Sequence, residues 1–374
     1  MKNSRVPGRL LIFALLLPRL LFGWLRRKPE PEQVRRILVL HQFLLGDALL
    51  ATSLLAKLRQ QYPTAEMVLA CPPLHASLYA NHPYGVTAMA WQPRDFASIR
   101  RLFALPRFDL VLLVGENRLG YLARALGGRW IVGFAGEQPA YKNWLVDEKV
   151  AYSTEPTAWA DTAAELLPGP PPRPFDIADW PILGVVPVSL PARYAVLHVG
   201  ASSASKCWAP ANWQQLAHWL RQQQIGVVWS CGPGESALLD AIAIDSHDQV
   251  MAGNLDLPQL RAVLAGACVA VCPDTGVAHL AKTAGTPLVM LFGPGSAAIF
   301  GASRFFSRYP CIAVGPEWFP CRNDRSVHHR PVDWALRCDR RIGAEPGKCK
   351  QALCMAVIDV RDVIIAVEKL LEKA

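Results

Sequence analysis

The residues best suited to chemistry sit where apolar runs end. Residues 271–273 are apolar and lead into Asp274, Thr275 and Gly276, followed by Val277, Ala278, His279 and Leu280. A buried strand running into a glycine-opened helix leaves free backbone N–H groups at the helix N-terminus, and these groups together with the helix dipole suit a phosphate. The competing reading is ordinary helix capping by Asp274 or Thr275. A second apolar run, 194–199, leads through Gly200, Ser202, Ser203 and Ser205 to Lys206. Small and hydroxyl residues before one lysine read as a phosphate cradle whose mobile ammonium can follow a departing diphosphate, with a solvated loop lysine as the alternative. After residues 225–230, Gly232 and Gly234 form a turn before Glu235. A carboxylate at that point can accept two ribose hydroxyls, or serve only as favourable charge at a helix start. Upstream, Gly46 and Asp47 follow the apolar run 37–40 and the loop 42–45. An aspartate facing a cleft from a helix start can take a proton from an acceptor hydroxyl, while capping would hold it ionised. Capping alone is again the alternative.

The elements that position these groups follow from the patterning. Short apolar runs at 37–40, 67–70, 86–90, 110–114 and 131–132 alternate with amphipathic segments, including a helix over 46–62 with Leu50, Leu54 and Leu58 on one stripe. Strand-helix-strand order implies a parallel sheet covered on both faces. Five prolines in residues 168–174 interrupt the pattern, and a linker over 168–191 is expected. A second series follows: strands at 194–199, 225–230, 267–272 and 288–292, with helices from Pro210, Glu235 and Gly276. The chain therefore reads as α/β, with two doubly wound Rossmann-like halves over 34–180 and 181–374, facing a central cleft. The last helix, 359–371, puts Val360, Val363, Ile364, Val367 and Leu370 on one face and must dock on something apolar, the first half included. Ligands of such sheets bind beyond the carboxyl ends of the strands.

Composition narrows the partners. The chain has 374 residues, 52% of them hydrophobic and 18% charged, which excludes intrinsic disorder. Of the net charge of +9, residues 1–28 hold +7 through Lys2, Arg5, Arg9, Arg19, Arg26, Arg27 and Lys28, with no acid. The remainder is nearly neutral, so nucleic acid is not an expected partner. Between the basic flanks, residues 10–25 are apolar but interrupted by Pro18 and Arg19. Residues 1–33 thus read as a segment lying at a membrane surface; a cleaved export signal and a core helix packed on the first domain are the alternatives. Ten cysteines in a chain of this size default to reduced thiols. Five of them, Cys311, Cys321, Cys338, Cys349 and Cys354, cluster without the two-residue spacing of a zinc knuckle, and no metal is expected there. Residues 322–341 carry six arginines and the pair His328–His329 against three aspartates, suited either to an anionic acceptor or to solvent.

Taken together, residues 37–58 with Gly46 and Asp47, residues 200–213 with Lys206, the 232–235 turn and above all Asp274, Thr275, Gly276, His279 and Leu280 with the downstream Phe292, Gly293 and Pro294 resemble the family 9 glycosyltransferases, the heptosyltransferases of lipopolysaccharide assembly. The likeness runs from about Arg36 to the last helix. It implies a GT-B fold, an ADP-heptose-type donor, a glycolipid acceptor, inversion at the anomeric carbon, no required metal or cofactor, and a peripheral place on the cytoplasmic side of the inner membrane. By motif position it implies Asp47 as general base, Lys206 on the diphosphate with Ser202 and Ser203 nearby, and Glu235 on the ribose. Gly46, Asp274, Thr275, Gly276 and His279 would then line the substrate pocket. Val199 and Ser53 stand where the family usually has proline, and loop 42–45 is more apolar than usual. Other readings are a UDP-sugar enzyme or epimerase of the same architecture, and a membrane-attached nucleotide-sugar binding protein without turnover.

Overall fold

The computed structural model describes residues 5–23, 33–186, 188–343, 345 and 347–372. Near-continuous apolar runs buried on both faces require parallel strands covered by helices. Six of them form the first sheet: β1 (Arg36–Leu40), β2 (Glu66–Cys71), β3 (Val86–Ala90), β4 (Leu110–Leu113), β5 (Trp130–Phe134) and β6 (Glu148–Val150). They pair in the order β3-β2-β1-β4-β5-β6. Six more form the second sheet: β7 (Tyr194–His198), β8 (Gly226–Cys231), β9 (Gln249–Ala252), β10 (Val269–Pro273), β11 (Leu288–Leu291) and β12 (Cys311–Val314), in the order β12-β11-β10-β7-β8-β9. Every ladder in both sheets is parallel. The strand order reverses between β1 and β4 in one sheet and between β7 and β10 in the other. Those switch points are where such sheets open a crevice for ligand, and this is the expected two-domain GT-B arrangement.

One buried apolar cluster joins the halves. It runs from Ile37, Leu49 and Leu54 through Trp159, Phe175 and Trp180 to Val263, Leu280 and Met290. The proline-rich linker is therefore pinned: Phe175 packs on Phe305, Phe306 and Tyr309 of the second half, whereas the Trp180 ring packs on Tyr79 of the first. The last helix, Val360–Leu371, buries Val363, Val367 and Leu370 against Trp213, Leu220, Val269 and Val289. It packs beside the Pro210–Gln222 helix over one face of the second sheet and does not return to the first half.

The helix expected over 46–62 is two helices, Leu45–Leu50 and Thr52–Gln61, broken at Ala51, whose ψ of 0° leaves the helical range. The helix expected from Glu235 shrinks to Ala237–Asp240. At the N-terminus, the Val6–Gly23 helix docks on the outer face of the first half. Leu16 is buried, Gly8 lies close against Ile99, and Phe13 meets the edge of Tyr121. Val6, Leu10, Phe13, Leu15 and Leu17 nonetheless remain exposed. No helix among the described residues is long and apolar enough to cross a membrane. Lys2, Trp24, Leu25, Arg26, Arg27 and Lys28 lie outside the described residues.

Three of the six arginines in the arginine-rich segment, Arg322, Arg330 and Arg337, are engaged by the protein itself, whereas Arg325 and Arg341 are exposed. After β12 the chain leaves the second half and makes a short hairpin, β13 (Ser326–Val327) with β14 (Arg330–Pro331), seated on the first half. The buried Arg330 guanidinium donates to the carbonyls of Gly115 (2.6 Å) and Ala135 (3.0 Å) and to Asn117 Oδ1 (3.2 Å), and faces the buried carboxylate of Glu137 at 3.5 Å. Trp334 Nε1 donates to the carbonyl of Ser153. Arg322 is spent on the carbonyls of Phe292 and Gly293, and Arg337 on Asp324. Truncation of Arg330 strands carbonyls and a buried carboxylate, so Arg330→Ala is expected to destabilise the protein by about 3 kcal/mol, read as a lower urea midpoint. An unchanged midpoint would show that the hairpin is not held by this residue.

Candidate active site

Both switch points carry the motifs singled out in the sequence, and the two sets meet. In the first half, β1 ends at Leu40 and the chain turns into the Leu45–Leu50 helix, putting Asp47 in its first turn. In the second, β10 ends at Pro273 and the Gly276–Ala284 helix begins after Asp274 and Thr275. The two helix starts touch across the cleft. A Cβ on Gly46 would stand 2.6 Å from His279 Cδ2, and one on Gly276 would stand 3.0 Å from Leu45 Cβ. The missing side chains are what allow this approach.

Neither aspartate is a helix cap. The residue before each helix, Leu44 and Thr275, makes no side-chain capping bond, and Asp274 points elsewhere. Asp274 Oδ2 accepts from Lys206 Nζ at 2.9 Å, and its carbonyl accepts from the same ammonium at 2.7 Å. His279 Nε2 stands 3.8 Å from Asp274 Oδ1. Burial pushes the Asp274 carboxyl up, but Lys206 and His279 outweigh it and hold the group well below the usual carboxylate range. Burial pushes the His279 imidazole down, with Lys282 adding to that push and Asp274 opposing it. Thr275 Oγ1 and His279 Nδ1 are buried without a hydrogen-bond partner. A buried polar atom left unpaired is costly, so these two are open valences at the helix mouth.

Asp47 is partly shielded, its side chain 23% exposed, and its Oδ1 lies 3.3 Å from Nε2 of His328 on the hairpin between β13 and β14. Trp159 Nε1 donates to the Asp47 carbonyl. Burial pushes this carboxyl up too, but the hydrogen bond and charge of His328, with His279 behind it, carry it below its ordinary value. The depression expected from capping thus has a different source. Nothing in the local spacing signals His328, which lies 281 residues away in sequence; the only hint was the adjacent histidine pair.

The remaining predicted residues fall at the same strand ends. Glu235 Oε2 accepts from the Gly232 amide at 2.7 Å and fills the space left by Gly200, where a Cβ would lie 2.1 Å from it. It therefore bridges the ends of β7 and β8. Ser203 Oγ pairs with Ser205 Oγ at 2.8 Å, whereas Ser202 is exposed. Beyond these, His41 and His75 lie buried at the ends of β1 and β2 with rings 6.2 Å apart. Burial drives His41 down to about 3 and His75 to about 4, so both are neutral near pH 7. All ten cysteines are free thiols, and among the described residues no three His, Cys, Asp or Glu side chains are grouped to hold a metal ion.

With this geometry in place, the likeness to known proteins is informative. Residues 174–318 match the family model described as glycosyltransferase family 9 (heptosyltransferase). Lipopolysaccharide heptosyltransferase 3 of Escherichia coli strain K12 is 26% identical over 281 residues, 66% of this chain and 79% of that protein. Lipopolysaccharide heptosyltransferase 1 of Pseudomonas aeruginosa is 29% identical over 146 residues, 36% of this chain and 41% of that protein, so that match spans about two-fifths of the relative. Among solved structures, the E. coli ADP-heptose lipopolysaccharide heptosyltransferase II superposes with a TM-score of 0.64 at 17% identity, covering 91% of this chain and 100% of that one. At that identity the likeness shows the fold.

The Lys206–Asp274 pair has a testable signature. Asp274 is depressed in the folded protein, so it contributes stability that is fully present above its unfolded value near 3.8 and is lost as pH falls through the folded value. Lys206→Met raises the folded value and removes that contribution at neutral pH. The melting-temperature gap between the native protein and the variant is expected to be widest above about pH 5 and to narrow below the carboxylate range. A gap that widens toward acid would contradict the pairing.

Proposed function

We propose that the chain is a family 9 glycosyltransferase and that it moves a heptose-type sugar from an ADP-sugar to a lipopolysaccharide-core or related glycolipid acceptor, with inversion and with Asp47 as general base. One observation carries the reading. The only carboxylate at the first helix start, Asp47, abuts a second helix start that presents the Lys206–Asp274–His279 cluster, at the switch points of two facing sheets.

The donor occupies the second half. Its diphosphate lies at the N-terminus of the Gly276–Ala284 helix, where free N–H groups and the dipole favour an anion. Lys206 gives two of its three N–H donors to Asp274 and keeps one for a phosphate oxygen. Ser202 and Ser203 lie alongside, Glu235 meets the ribose, and Asp274, Thr275 and His279 line the sugar pocket next to Gly46. The acceptor hydroxyl enters from the first half. Its oxygen forms the new bond to the anomeric carbon as the bond to the diphosphate breaks, and its proton passes to Asp47. The negative charge that develops on the leaving ADP is stabilised by Lys206 and the helix terminus, an electrostatic contribution set up before reaction. No metal ion is called for in this scheme.

The exposed apolar row of the Val6–Gly23 helix, with Arg5 and Arg9 beside it, supports attachment to an anionic membrane surface, the cytoplasmic side of the inner membrane, where a glycolipid acceptor would be presented.

Asp47→Asn keeps shape but removes the base, and should lower kcat for transfer by roughly 100-fold or more with an unchanged melting temperature; full activity would remove Asp47 from the mechanism. ADP is expected to raise the melting temperature and UDP and GDP to leave it unchanged, whereas a preference for UDP would point to a UDP-sugar enzyme. Replacing Leu10, Phe13 and Leu17 together with serine should abolish co-sedimentation with phosphatidylglycerol vesicles without affecting donor binding. Sedimentation equal to the native protein would detach this helix from any membrane role.

A further inference from the structure

The hairpin that brings His328 to Asp47 is built against local preference. Two residues, His328 and His329, connect β13 to β14, and both have positive φ, 47° and 63°. A two-residue turn with positive φ at both central positions favours asparagine and glycine, because a Cβ is strained there. Residues held in that region persist where the surroundings over-determine them, and such sites cluster at functional centres.

Here the surroundings fix one outcome, the direction of the His328 ring. The ring packs against Trp159 at 4.2 Å and Phe43 at 5.0 Å between centroids. Arg330 Nη1 donates to the His328 carbonyl at 2.8 Å while the rest of its guanidinium grips the first half, and the Gln138 amide donates to the His329 carbonyl at 3.1 Å. Nε2 is thereby held 3.3 Å from Asp47 Oδ1. The other carboxylate oxygen, Oδ2, receives no hydrogen bond from the described residues. By contrast, His329 is exposed.

We propose that His328 is a positioning residue for Asp47: its Nε2–H holds Oδ1, fixing the carboxylate so that Oδ2 faces the acceptor hydroxyl. Because the hairpin is an excursion of the second half seated on the first, the base is oriented only when the two halves are joined. This inference rests on the assignment of Asp47 as base. It adds a residue that nothing in the general reading of the cleft requires.

The arrangement makes a pH prediction. Asp47 must be ionised to accept a proton, so transfer falls as pH drops through its pKa. His41 from the end of β1, His279 and Asp274 from the opposing helix start, Tyr152 beyond β6 and His328 from the hairpin all act on that group. Of these, His328 alone is hydrogen-bonded to it. Removing the His328 contact raises the Asp47 pKa and moves the acid limb of the kcat profile to higher pH.

The test is steady-state transfer from ADP-heptose, across pH, by the full-length protein and three variants. His328→Phe keeps the ring against Trp159 and Phe43 but removes the donor. It should lower kcat roughly 10- to 100-fold, the scale of a misplaced catalytic group, shift the acid limb upward and leave the donor KM within about twofold. His328→Gln retains an N–H donor and should recover part of the lost kcat. His329→Gly relieves the turn without touching Asp47 and should behave as the native protein. His328→Phe showing native kcat and a native acid limb would overturn the proposal; if that variant failed to fold, His328→Leu, which also lacks the donor, takes its place and is judged on the same acid limb, since loss of a purely structural histidine leaves the limb where it is. Asp47→Asn separates the two levels. If it is inactive while the His328 variants are normal, only the positioning role falls; if it is fully active, the base assignment itself falls.

Discussion

The structure turns on one close approach, that of two helix N-termini from opposite halves. Gly46 against His279 and Gly276 against Leu45 leave no room for a side chain on either glycine. Each N-terminus carries partial positive charge, so bringing them together is favourable only with negative charge at the junction. Asp47 and Asp274 supply it in the protein itself, and a diphosphate would add to it in the reading offered here. Under the proposed function, the same contact would set the distance between a donor held by one half and an acceptor held by the other. Most of the remaining architecture, including the shared apolar cluster through Trp159, Phe175 and Trp180, serves to keep these ends in register.

Charge at the junction is sparingly distributed. The buried imidazoles His41, His75 and His198 are driven to about 3, 4 and 4 by burial and so contribute no positive charge near neutral pH. Beside the two helix ends, Lys206 pairs with Asp274 on one side of the cleft and His328 faces Asp47 on the other. Buried arginines such as Arg322 and Arg330 are consumed by backbone carbonyls and act as structural clamps.

Much of this was legible from residue types alone. Parallel sheets bury both faces, so β1, β4, β7, β10 and β11 stand out as apolar runs, and the residues that follow them necessarily point to the cleft. Asp47, Lys206, Asp274 and His279 were found in that way, and the structure brings them together. Short or half-exposed edge strands carry a weaker signal: β6 is Glu-Lys-Val, and β12 has no buried residue. The break at Ala51 was invisible because alanine favours helix and the stripe continues across it. The hairpin at 326–331 was missed for a different reason. Its stability comes from Arg330 reaching carbonyls more than 190 residues away, and no local pattern encodes a long-range clamp. The His328–Asp47 contact inherits that invisibility.

The central claim, that donor and base face one another across this junction, is tested most directly by a crystal structure of the protein with ADP. The account predicts the diphosphate within hydrogen-bond reach of Lys206 Nζ and of the N-terminal amides of the Gly276–Ala284 helix, on the side facing Asp47. ADP bound elsewhere, for instance in the outer groove lined by Gln214, His218, Val360 and Ile364, with the Lys206–Asp274 cluster making no contact to it, would contradict the account.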